Sequence, residues 1–121
     1  MKLGVLGIMD RGKAFHERLQ LSVLQATDLS FYTLFFSRYN EATAVSAGNS
    51  QAYWFAPQIV KPGDHVFVFS SEGKNSSTSL TTVPGAKAYF YYLGYKTTIW
   101  QDPSSCVVVQ ELTTWATTAA S

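Results

Sequence analysis

The chain is short of most residues that advertise chemistry. It carries one cysteine, Cys106, in 121 residues, so no intramolecular disulfide can form and cysteine usage gives no reason to place it in an oxidising compartment. Its strand-like setting before Val107-Val108-Val109 reads as a small buried hydrophobe. Only two histidines occur, His16 and His65, and neither lies in a close cluster of Cys, Asp and Glu. The sequence therefore predicts no metal and no cofactor. Charged residues make up 14% of the chain and sum to +1. Such a balance supplies no field to hold nucleic acid or an anionic membrane, and it leaves little repulsion between copies, which favours a homo-oligomer. Long apolar runs are also missing. The longest charge-free stretch, residues 42–60, is interrupted by Ser46, Gly48, Asn49, Ser50, Gln51 and Pro57 and fails as a membrane span. The apolar run after Lys2 is stopped by Asp10-Arg11 with no small-residue cleavage site, so it reads as a first strand rather than a signal peptide. A soluble, cytoplasmic protein is the expectation.

What the chain does have is aromatic residues, 15% of the total, and strand punctuation. Residues 17–23 alternate, with Leu19, Leu21 and Val23 on one face and Arg18, Gln20 and Ser22 on the other. Residues 30–37, 52–56, 65–69, 87–93 and 106–112 are strand-like segments, residues 97–100 a short extended piece, and Pro62-Gly63 and Asp10-Arg11-Gly12 mark turns. Residues 41–47 are the one place for a helical turn, and 70–86, rich in Ser and Thr, read as an exposed loop. No segment repeats apolar residues at helical spacing over three turns. Seven or eight short strands without a helix predict an all-β antiparallel sandwich or barrel.

From residue 17 to residue 112 the chain resembles the lamin-tail domain family. The resemblance rests on Glu17-Arg18-Leu19-Gln20-Leu21, Asp28-Leu29-Ser30-Phe31-Tyr32-Thr33-Leu34, Tyr53-Trp54-Phe55-Ala56-Pro57, Val60-Lys61-Pro62-Gly63-Asp64-His65-Val66, Gly73, Tyr92-Leu93-Gly94 and Ile99-Trp100-Gln101-Asp102. Before the last strand the family usually has Gly-Asp, where this chain has Ser104-Ser105-Cys106. The resemblance implies an immunoglobulin-like antiparallel β-sandwich of seven to nine strands, one domain over residues 1–112. Residues 113–121 are expected to fray as a tail. It also implies a role in contacts with other molecules rather than a catalytic centre.

Ser71-Glu72-Gly73-Lys74 fails as a phosphate loop because position 68 is Val and position 75 is Asn. No Gly-x-Ser-x-Gly elbow locates a nucleophile, so a hydrolase with a Ser–His pair ranks last and no enzyme is expected. The densest aromatic region, Tyr89 to Trp100, reads first as core and cross-strand packing. As a surface, Tyr92, Tyr95 and Trp100 are the candidate binding residues. They would serve a protein partner or a second copy of the chain, with carbohydrate binding as the alternative.

Overall fold

The computed structural model describes residues 1–39 and 51–120, and the helical turn expected within 41–47 lies outside them. Among the described residues ten strands follow in order: β1 (Leu3–Met9), β2 (Arg18–Val23), β3 (Thr27–Asp28), β4 (Tyr32–Arg38), β5 (Gln51–Trp54), β6 (Ile59–Val60), β7 (His65–Ser71), β8 (Ser76–Ser79), β9 (Lys87–Tyr95) and β10 (Ser105–Glu111). They make an all-β sandwich. A five-stranded sheet, β1-β2-β7-β9-β8, packs on a three-stranded sheet, β10-β4-β5, and β3 pairs with β6 as a short ribbon. The period-two pattern does this work: Leu19, Leu21, Val66, Val68, Tyr89 and Tyr91 point inward from the larger sheet, and Tyr32 and Leu34 from the smaller. Each of the fully buried aliphatic side chains among them stabilises the fold by about 1.5–3 kcal/mol relative to exposure.

The structure departs from the sequence expectations at four places. The sandwich is antiparallel except at β7–β9, which pair in parallel. Leaving β7, the chain crosses the end of β9 and returns along its far side as β8, antiparallel to it. That crossing needs Gly73. A Cβ there would lie 2.4–2.6 Å from ring carbons of Tyr92, a distance no side chain tolerates without displacement. Residues 76–79, expected to be loop, are therefore a strand whose four side chains are all exposed, which is why their composition looks like a loop. At the third place, residues 29–31 form a 3₁₀ turn capped by Asp28, whose carboxylate accepts from the Ser30 and Gln58 amides at 2.9 and 3.1 Å. The strand accordingly begins at Tyr32. At the fourth, residues 97–100 are not extended strand but a bend.

Candidate functional site

The three residues singled out from sequence go to three different places. Trp100 is a correction: it is 1% exposed, packed edge-on against Phe36 at 5.9 Å, and belongs to the core. Tyr95 is half-buried, and its hydroxyl donates to Oε1 of Gln51 at 2.9 Å, joining the end of β9 to the start of β5. Tyr92 lies on the outer face of the five-stranded sheet. No common surface joins the three.

Around Tyr92 the ring faces are already occupied. Phe69 and Tyr92, opposite each other on β7 and β9, stack at 5.1 Å and 14°, and Phe67 and Phe90 stack beside them at 5.4 Å and 14°. His65 stacks on Phe67 at 6.2 Å. The Arg18 guanidinium sits 6.0 Å from the Phe69 centroid, and the Gly73 backbone closes on Tyr92. A sugar ring needs an open aromatic face. This row offers none at Tyr92, whose faces are taken by Phe69 and by the crossing chain.

At one end of the sandwich, the buried Glu17 carboxylate organises three segments. Its Oε1 accepts from the amides of Gly12 (3.0 Å) and Trp100 (3.0 Å); its Oε2 accepts from the Ile99 amide (2.9 Å) and the Ser70 hydroxyl (2.6 Å). Burial pushes this carboxyl up. The bonds from Ser70, Gly12, Ile99 and Trp100 together outweigh it, and the group is held below its ordinary value. With four donors satisfied and 1% exposure, Glu17 is a structural clamp rather than an acid or base for a substrate. Outside it, Asp102 is pulled to about 2, first by the Ser104 amide, then by the Ser104 hydroxyl and Arg38. The Arg38 guanidinium meets it at 2.6 Å on the exposed surface.

Nδ1 of His65 is buried without a hydrogen-bond partner, and His16 contributes its backbone carbonyl to Arg18. Among the described residues no three His, Cys, Asp or Glu side chains gather as a metal site. Cys106 is buried, and burial raises its thiol above the ordinary value, outweighing the opposite influence of Arg11.

The open region lies on the smaller sheet. Trp54 faces Thr33 across β5 and β4, on the opposite side from Tyr53 and Phe55, and is 47% exposed. Its Nε1 donates to the Ser30 carbonyl at 2.7 Å, which fixes the indole against the 3₁₀ turn. Beneath it the Thr33 hydroxyl is buried with no partner. Phe31, on that turn, is 51% exposed because the turn rotates it away from the core that Leu29 enters. The Leu112 amide donates to the Phe31 carbonyl at 2.6 Å and brings residues 113–115 across this surface. Trp115, 57% exposed, then meets Trp54 edge-to-face at 4.8 Å and 82°. Phe31, Leu112, Thr113, Thr114 and Trp115 line a shallow recess open to solvent. Trp54 had a signal in the sequence, since alternation sets it opposite its two inward neighbours. Trp115 had none: it lies beyond the last strand in a Thr- and Ala-rich stretch.

The described residues form a β-sandwich with an open aromatic patch at Phe31, Trp54 and Trp115. Comparison with protein-family models, with curated proteins and with solved structures returns no match. Among the described residues no helix is long and apolar enough to cross a membrane.

Proposed function

We propose that the chain is a non-enzymatic interaction module, an immunoglobulin-like sandwich of the lamin-tail kind, that recognises a protein partner through Phe31, Trp54 and Trp115. One observation carries this reading: Phe31 and Trp115 line one recess, and Trp54 on β5 meets Trp115 edge-to-face beside it, each of the three about half exposed. Large aromatics with a fixed polar tip are the side chains that dominate binding energy at protein interfaces. The fold part of the reading is supported by where the lamin-tail-like motifs fall. The segment beginning at Glu17 is β2, the Asp28 segment is the capped turn leading into β4, and the Pro62-Gly63 turn opens β7.

The test is affinity capture with the full chain and with Trp54→Ala, followed by titration of any retained protein after purification. A partner that binds the full chain and loses about 2 kcal/mol or more on Trp54→Ala supports the reading. Partners that bind both proteins equally would move the interface elsewhere. The same exposed indoles suit a sugar ring, so a glycan panel read by tryptophan fluorescence separates the two. A response to glycans, lost in Trp54→Ala, would replace the protein reading with the carbohydrate one.

A further inference from the structure

The chain lays a segment of its own across the Trp54 surface, and that segment shows what kind of partner the surface fits. β10 ends at Glu111, opposite Tyr32, whose hydroxyl donates to the Glu111 carboxylate. One residue on, half-buried Leu112 donates its amide to the Phe31 carbonyl, a last rung beside the 3₁₀ turn. From residue 113 to residue 120 the backbone is neither strand nor helix and every residue is exposed. Among the described residues no backbone hydrogen bond ties this stretch to either sheet. Leu112 is therefore the anchor, Thr113 and Thr114 the span, and Trp115 the ring that the stretch sets down on Trp54.

The receiving side is built independently of what lies on it. Trp54 is fixed by its own bond to the Ser30 carbonyl, and Phe31 by the turn that Asp28 caps. Trp115 is held by ring contact, and the edge-to-face pair leaves it 57% exposed and Trp54 47% exposed. A preformed surface under a loosely held ring is the arrangement in which one aromatic side chain gives way to another. Residues 112–120 carry no charge, so the exchange breaks no ionic contact of theirs and salt leaves it nearly unchanged.

We propose that Trp115 is a tethered stand-in for the partner: the surface recognises an uncharged, extended peptide segment that presents an aromatic ring to Trp54, and residues 113–115 occupy that place until such a segment displaces them. This rests on the reading of the Trp54 surface as a recognition site. Within it Phe31 and Trp54 are the fixed members and Trp115 the movable one. A tether of two residues from Leu112 holds the ring at an effective concentration of about 1 mM. An edge-to-face pair of this kind favours the closed form about tenfold. The same segment supplied free then binds an uncovered surface with a dissociation constant of about 0.1 mM, and binds the covered one about tenfold more weakly.

The probe is a dye-labelled peptide of residues 113–118, Thr-Thr-Trp-Ala-Thr-Thr, blocked at both ends and titrated by fluorescence anisotropy. The expected result is binding to full-length Trp115→Ala about tenfold tighter than to the unmodified chain, and none to Trp115→Ala combined with Trp54→Ala. Circular dichroism reads the closed contact without any ligand: indoles this close couple excitonically, so the unmodified chain shows a couplet that Trp115→Ala and Trp54→Ala each remove. Equal affinity for the unmodified chain and Trp115→Ala, no binding to Trp115→Ala, or a couplet that survives Trp115→Ala overturns the proposal. So does a dimer in sedimentation equilibrium that Trp115→Ala dissolves, because the ring then sits on a second copy. The two readings fail separately. A captured protein that depends on Trp54 keeps the surface reading even where the peptide ignores Trp115, and peptide binding as expected with no such protein keeps the contact within the chain while the surface reading falls.

Discussion

Trp100 and Trp54 make opposite uses of the same side chain. At the Glu17 end, Trp100 is sealed in the core with its Nε1 buried and unpaired, while its backbone amide is bound by a carboxylate 83 positions away in the chain. On the smaller sheet Trp54 is half exposed, yet its Nε1 is paired with the Ser30 carbonyl. The sealed ring is positioned through its backbone and the open ring through its indole. An unpaired buried donor costs about 1–3 kcal/mol, which the packing of a large ring against Phe36 offsets. At Trp54 the opposite choice holds: a satisfied polar tip fixes the ring in place while leaving much of its apolar surface available to something else.

Substitutions separate the two regions by size of effect. Trp100→Ala empties the largest buried side chain and is expected to cost about 3–5 kcal/mol, read as the free energy of chemical unfolding. If that loss is under about 1 kcal/mol, the core at this end is looser than described. Glu17→Gln keeps the shape but turns an amide NH₂ toward two of the four donors that now meet carboxylate oxygens. A loss of about 3 kcal/mol follows, with a melting temperature lower by roughly 10 °C. Gly73→Ala forces Tyr92 or the crossing chain to move and should cost about 1–3 kcal/mol. Trp54→Ala, by contrast, should change stability by no more than about 1 kcal/mol while weakening partner binding by about 2 kcal/mol or more, because its surface is only half engaged within the fold. A large stability loss at Trp54 would erase the distinction between the two regions.

Acid sharpens the same contrast. Glu17 is held below its ordinary value of 4.5 in the folded chain. The unfolded chain therefore binds the proton first as pH falls. The stabilisation from this carboxylate is present above the unfolded value and is lost as pH drops through the lowered folded one. Unfolding monitored from pH 7 down to 3 should show this acid limb in the full chain and a flatter one in Glu17→Gln. Equal limbs would mean that the four bonds to Glu17 do not hold its proton off.

The larger part of the fold was readable because period-two alternation over β2 and β7 fixes which face is buried before any partner strand is known. The same rule puts Phe90 and Tyr92 on one side of β9 and Tyr89 and Tyr91 on the other, as their burial shows. The parallel pairing of β7 and β9 was not readable, because alternation is blind to strand direction. β8 escaped notice because an edge strand with no buried side chain has no apolar period to detect. The aromatic surface was half legible. Tyr92, Tyr95 and Trp100 were chosen for density, but density does not say which faces of a ring are already taken. Trp54 was missed although alternation sets it opposite Tyr53 and Phe55, whereas Trp115 reaches it only through the Leu112 to Phe31 hydrogen bond, a contact with no local signature.

The strand order around β9 also has a consequence in time. β8 and β9 are separated by only residues 80–86 and can zip together as a hairpin, whereas β9 meets β7 from the other side with the whole of β8 between them in the chain. Closing the longer loop carries its entropy cost before the parallel ladder returns anything. The hairpin is therefore the early event and its docking on β7 the late one. The close approach of Gly73 to Tyr92 can tighten only after that docking, so the crossing segment reports the completion of folding rather than its start.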